Sequence, residues 1–282
     1  MLTRQRRLLA AIALVPLFSL AACSGTSSTS NSSTAEAGSS ASAAGPVSGE
    51  LTVFAAASLQ GAFEEIAQGV KEDNPDLTIT FNFLGSQDLV TALANGDAAD
   101  VLATANNSTM TDAANQSLVG EQTEFATNTL TLIVPKGNPA GITGLDSSLD
   151  GADLVICAPE VPCGEATEKL ATALGVTLNP VSEEQKVTDV RGKVESGEAD
   201  AGIVYTTDAA AATGVEEISI PNGGVINHYP IAITSGAQNT AAAQAFIDYI
   251  LSDKGRAILD THGFGAPGAG ATPSTTASPT GQ

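Results

Sequence analysis

Leu51-Thr52-Val53-Phe54-Ala55-Ala56-Ala57-Ser58-Leu59-Gln60-Gly61-Ala62-Phe63-Glu64-Glu65-Ile66 decides the fold class. Its first six residues form an almost unbroken apolar run, the pattern of a strand buried on both faces. From Leu59 the period changes, and Leu59, Ala62, Phe63, Ile66 and Val70 fall on one helical face. A buried strand that hands over directly to an amphipathic helix is the unit of an α/β protein with parallel sheets. The same alternation continues outward. Strands are expected at 77–83, 100–104, 129–134, 154–157, 201–204, 215–220 and 229–233, and helices near 87–94, 163–174, 189–196 and 240–251.

In such sheets ligands bind beyond the carboxyl ends of the strands, where the following helices present their N-termini. Four junctions therefore matter: Ala55-Ala56-Ala57-Ser58-Leu59, Leu84-Gly85-Ser86-Gln87, Pro159-Glu160-Val161-Pro162-Cys163-Gly164 and Val187-Thr188-Asp189-Val190-Arg191. Ser58 and Ser86 each place a hydroxyl beside the free N–H groups of a first helical turn, which together cradle an anion. Taken singly, either serine reads first as a plain N-cap that bonds its own helix, and only the recurrence at further junctions favours the cradle. Gly85 and Gly164 allow backbone to approach a ligand closely. Tyr205, directly after the strand at 201–204, offers a phenol donor at a sheet edge, or ordinary packing with an exposed hydroxyl.

The chain ends have another character. Arg4, Arg6 and Arg7 precede an apolar stretch at 8–20 that is too short for a permanent membrane span, so residues 1–22 read as an export signal. Leu20-Ala21-Ala22-Cys23 has the form of a lipoprotein cleavage site, with Cys23 as the acylated residue. Residues 23–48, rich in Ser, Thr, Ala and Gly, read as a disordered tether with an r.m.s. reach of roughly 25–30 Å. Residues 265–282 read as a disordered tail, which leaves 49–264 as the folded body.

The net charge is -20, with 11 Lys/Arg against 31 Asp/Glu. Removing the signal takes three of the basic residues and none of the acidic ones, leaving eight against 31, or -23. Nucleic acid is excluded as a partner, because binding it requires basic stripes and the body has none. Two histidines, no Gly-x-Ser-x-Gly elbow and no evident carboxylate pair argue against an enzyme. Cys157 and Cys163 do not make a zinc pattern. In an oxidising compartment they could close a small disulfide loop, or remain two thiols. Tyr205, Tyr229 and Tyr249 are scattered in sequence, against a phenolate site for ferric ion.

Val53-Phe54-Ala55-Ala56-Ala57-Ser58-Leu59, Gly96-Asp97-Ala98-Ala99-Asp100-Val101, Asp189-Val190-Arg191 and Gly202-Ile203-Val204-Tyr205 with Asp208 resemble one family. It is that of the periplasmic molybdate-binding proteins of molybdate ABC importers, in an actinobacterial lipoprotein form. The likeness extends over nearly all of residues 49–264. It implies a two-domain periplasmic binding protein fold, type II-like, with the ligand in the interdomain cleft: domain I at 49–128 and 229–264, domain II at 129–228. It further implies ligation of molybdate or tungstate by neutral donors, through hydroxyl and amide of Ser58 and Ser86, the amides of Cys163 and Val190, and the hydroxyl of Tyr205. A disulfide would pre-organise the loop that offers the Cys163 amide.

No cofactor is implied; the expected partners are the anion, an importer permease and, through lipid on Cys23, the outer face of the cell membrane, with the chain a monomer. Two departures stand out. The segment between Val190 and Tyr205 is about one helical turn shorter than is usual in the family, and many relatives lack the cysteine pair. Donor-only cradles suit a fully deprotonated dianion, whereas hydrogen phosphate carries a proton that wants a carboxylate. Sulfate or phosphate remains the alternative cargo. Arg191 could approach the site or form a surface ion pair.

Overall fold

The computed structural model describes residues 45–268. The expected signal, Cys23, most of the tether and the end of the tail lie outside the described residues.

The opening stretch forms the expected unit. β1 (Gly49–Ala56) is followed by a 3₁₀ turn (Ala57–Leu59) and α1 (Gln60–Asp73). Leu51, Val53 and Ala55 are fully buried, and Phe54 and Ala56 nearly so, because layers cover both faces of the strand. α1 buries Ala62, Phe63, Ile66, Ala67 and Val70, the stripe read from the sequence plus one alanine.

The chain then adds β2 (Leu77–Leu84), α2 (Ser86–Ala94), β3 (Val101–Ala103), α3 (Asn107–Asn115) and β4 (Val119–Asn128). After Thr129 it enters a second sheet with β5 (Leu130–Pro135), β6 (Leu154–Cys157), α4 (Pro162–Leu174), β7 (Ser182–Glu184), α5 (Val187–Ser196), β8 (Ala201–Tyr205), α6 (Thr206–Ala211) and β9 (Val215–Ile218). β10 (Asn227–Thr234) returns to the first sheet and leads to α7 (Thr240–Leu251) and α8 (Asp253–Thr261). The sheet orders are β2-β1-β3-β10-β4 and β7-β6-β8-β5-β9.

The sheets are mixed, not purely parallel as expected. β10 runs antiparallel to β3 and β4, and β5 runs antiparallel to β8 and β9. These two strands carry the chain between sheets. Both arrive without a crossover helix, which parallel neighbours require. β4, β7, α3, α6 and α8 were not anticipated. β4 is polar and exposed over much of its first half, an edge strand held by its ladder to β10 rather than by hydrophobic pattern. α3 contains Asn, Ser and Thr and is set by its cap, in which Thr109 N donates to Asn106 Oδ1 at 3.1 Å.

Ordered structure outruns the expected body at its end. Gly265 and Thr127 exchange two backbone hydrogen bonds of 2.9 Å, and Gly268 N donates to Glu124 Oε1 at 2.9 Å. The tail therefore does not begin at 265.

Asp100, within the Gly96-to-Val101 motif, is 5% exposed and ties three segments. Thr52 N donates to its Oδ2 at 2.8 Å, while Gln238 N and Asn239 N donate to its Oδ1 at 2.7 and 2.8 Å. Its role is to join β1 to the start of α7. Asp100→Ala orphans these donors and is expected to lower stability by about 3 kcal/mol, measured by urea denaturation.

Candidate functional site

The C-terminal edges of β1, β2, β3, β6, β7 and β8 converge on one small cavity. Ser58, Ser86, Cys163 and Tyr205 all line it, so four of the five residues expected to bind ligand come together. They are drawn from both sheets. Ser86 is the first residue of α2, with Gly85 as its cap, and Cys163 the second residue of α4. First-turn amides have no intrahelical acceptor, so both helices present N–H groups and the positive ends of their dipoles here.

Val190 is different. It is the fourth residue of α5, fully buried, and a Cβ added to Gly202 of β8 would come within 2.9 Å of its Cγ1. Its side chain holds α5 against β8. The lining at this junction is Lys186 and Val187, the cap and first residue of α5. The helix expected from 189 begins at Val187. The Lys186 ammonium lies 3.6 Å from Asp189 Oδ1.

Behind the cavity, the Ser86 and Tyr205 hydroxyl oxygens each meet a fixed donor. Ser86 Oγ accepts from Ala105 N at 3.1 Å. Tyr205 Oη accepts from Asn227 Nδ2 at 2.9 Å. Asn128 Nδ2 donates to Tyr229 Oη at 3.3 Å, and Tyr229 Oη lies 3.0 Å from Ser58 Oγ. Asn128 cannot reverse this order. Its Oδ1 already accepts from Thr129 N and Thr206 Oγ1, and its Nδ2 also donates to Thr207 Oγ1. Tyr229 Oη thus takes one proton from Asn128 and shares with Ser58 a hydrogen bond in which either hydroxyl can donate, while Ala105 N and Asn227 Nδ2 each fill a lone pair on Ser86 and Tyr205.

Tyr229, Asn128 and Asn227 were not singled out from sequence. The tyrosines are not scattered: the rings of Tyr205 and Tyr229 are 6.0 Å apart. Burial raises the pKa of both phenols, so they serve as hydroxyl donors and not as phenolates for ferric ion.

Cys157 and Cys163 form a disulfide with Cα atoms 5.7 Å apart, fastening the first turn of α4 to the end of β6. The two junction glycines relieve backbone against backbone rather than against a ligand. A Cβ on Gly164 would lie 1.9 Å from Ala158 O, and one on Gly85 only 2.3 Å from Gln185 O, which belongs to the other sheet's side of the cavity.

Arg191 stands apart from the lining, 3.7 Å from Glu195 and 4.0 Å from Asp208. Asp208 is buried, and its Oδ2 has no hydrogen-bond partner among the described residues. Desolvation pushes its carboxyl up to about 7, with Arg191 offsetting part of the rise.

With this fold and cavity established, the class follows: the chain belongs to the bacterial extracellular solute-binding protein family, whose pattern matches residues 51–265. These are binding proteins and not enzymes. Among named relatives, the molybdate-binding protein ModA of Mycobacterium tuberculosis is 44% identical over 232 residues, covering 80% of this chain and 89% of that one. The periplasmic molybdate-binding protein of Azotobacter vinelandii shares the fold at a TM-score of 0.66 and 22% identity, over 77% of this chain and 99% of that one. The sulfate-binding protein SubI of Mycobacterium tuberculosis does so at 0.63 and 17%, over 76% and 86%.

Because the Asp208 pKa is higher folded than unfolded, its contribution to stability is complete below about pH 4 and is lost as pH rises toward 7. The full loss is on the order of 4 kcal/mol. In urea melts, Asp208→Asn is expected to gain on the parent protein across this window and to hold a constant lead above it.

Proposed function

We propose that this chain captures molybdate outside the cytoplasm and delivers it to an ABC importer. The observation that carries the reading is the donor set: the Ser58, Ser86 and Tyr205 hydroxyls, joined by first-turn amides, around a cavity that no carboxylate among the described residues lines. Such a site satisfies a ligand that only accepts. The 44% identical relative bears the name of a molybdate-binding protein, which selects molybdate among the dianions. Tungstate, with the same charge and shape, is a second ligand of this site. Ser58, Ser86, Cys163 and Tyr205 contact the anion, joined by the backbone amides at the start of α5, from Val187 to Val190.

The sheets suggest two lobes, residues 49–128 with 229–264 and residues 129–228, that close on the ligand by a hinge motion. Outside the described residues, the Leu20-to-Cys23 motif supports lipid anchoring at Cys23. The chain acts as a monomer. Net charge does not forbid anion capture, because exposed charges are screened over about 10 Å while buried donors act at contact.

Residues 45–282, freed of anions, are expected to bind molybdate and tungstate in calorimetry with a micromolar or tighter Kd, and sulfate and phosphate at least about tenfold more weakly. Tight sulfate binding with no molybdate heat would sink the assignment. Ser58→Ala and Tyr205→Phe each remove a charge-assisted bond of about 1.5–3 kcal/mol, so each is expected to weaken molybdate roughly 10- to 150-fold. In the full chain, Cys23→Ser is expected to move the exported protein from the membrane to the soluble fraction.

A further inference from the structure

Glu165 lies two residues beyond Cys163 in the first turns of α4, an unexpected place for a carboxylate beside an anion cavity. Its hydrogen bonds reach across the cleft. Asn106 Nδ2 donates to Glu165 Oε2 at 2.5 Å, and Ser108 Oγ donates to the same oxygen at 2.6 Å. Asn106 is the cap of α3 and Ser108 lies in its first turn, on the first-sheet side; Glu165 belongs to the second. The remaining oxygen takes Lys169 Nζ at 2.5 Å. Burial raises the Glu165 pKa, but bonds from Lys169, Ser108 and Asn106 outweigh it and hold the group below its ordinary value, ionised.

A second bridge spans the mouth nearby, where Gln87 Nε2 donates to Gln185 O at 3.0 Å. That one is neutral and exposed. It also sits beside two carboxylates, Asp88 and Glu160, whose mutual repulsion contributes to raising the Asp88 pKa. The Glu165 bridge is charge-assisted, bifurcated and half-buried, and it is the stronger device for holding the two sides together.

We infer that Glu165 is a positioning residue that latches the two sides of the cleft shut over the bound anion through Asn106 and Ser108. The inference rests on the proposed capture of molybdate. The latch exists only when α3 and α4 meet, so it stabilises the closed state alone, slowing release without speeding capture. It also accounts for tolerance of a negative charge near the ligand. The donors from α3, together with Lys169, occupy the carboxylate and spread its charge away from the cavity.

The test is stopped-flow and calorimetric binding of molybdate to the whole exported chain and its variants. Glu165→Ala is expected to raise the dissociation rate about tenfold with the association rate changed less than twofold, and Glu165→Gln, which keeps one acceptor, to fall between it and the parent. Ser108→Ala, on the opposite side, is expected to raise dissociation about threefold in the parent and not at all in Glu165→Ala. The melting temperature of the anion-free protein should stay within a degree or so of the parent for all three variants, as a residue that merely supports the fold would not allow. If instead Glu165 only repels the anion, both Glu165 variants bind more tightly and release more slowly, which overturns the latch. Unchanged dissociation in Glu165→Ala overturns it equally. A parent protein that binds no molybdate overturns the proposed function first, and the latch with it.

Discussion

A hydroxyl is both donor and acceptor, and the site depends on suppressing one of those roles. Ser86 is held by the Ala105 amide, Tyr205 by the Asn227 side chain, and Ser58 by Tyr229, which Asn128 in turn directs. The Ala105 and Asn227 donors fill an oxygen lone pair on Ser86 and Tyr205 from behind, which biases both hydroxyls toward donating. The consequence is specificity by protonation state. A ligand bearing its own acidic proton would find no acceptor on this wall, whereas a dianion finds donors that need not reorganise to receive it. The supporting groups are amides and phenols, and burial keeps the phenols protonated.

This local order explains how a chain of net charge -20 can present an anion site. Of the carboxylates that approach the cleft, Glu165 is engaged by α3 donors and Lys169, and Asp189 by Lys186. Asp208, deeply buried behind Tyr205, escapes the problem by holding its proton up to about pH 7. Backbone geometry supplies the rest. Gly85 allows the β2–α2 turn to touch Gln185 of the opposite side, and the Cys157–Cys163 link fixes the first turn of α4 where its amides are needed.

Much of the site was legible because its residues sit at strand-to-helix junctions, a position fixed by local hydrophobic period. Ser58, Ser86 and Cys163 could be placed by finding where a period of two gives way to 3.6, and Tyr205 by where a buried run ends. The start of α5 was expected two residues late because Val187, Val190 and Val194 all continue the apolar stripe, and nothing local marks which begins the helix; Lys186 is a poor capping signal. Tyr229 could not be paired with Ser58 from sequence, since 171 residues separate them and a tyrosine at a strand start is commonplace. The edge strand β4 escaped for a related reason: its polar half is ordered by partners and not by burial.

The sequence by itself determined the α/β alternation, the junctions that line the cavity, the acidic surface and the membership of a binding-protein family, because each is written in short-range pattern or composition. The tertiary structure alone decided the reversal of β5 and β10, the pairing of Cys157 with Cys163, the partnership of Tyr205 with Tyr229 and the bridge from Glu165 to α3. Those features depend on which distant segments meet once the cores pack. Hydrogen-bond direction is set by such meetings, and the site's chemistry follows from that direction.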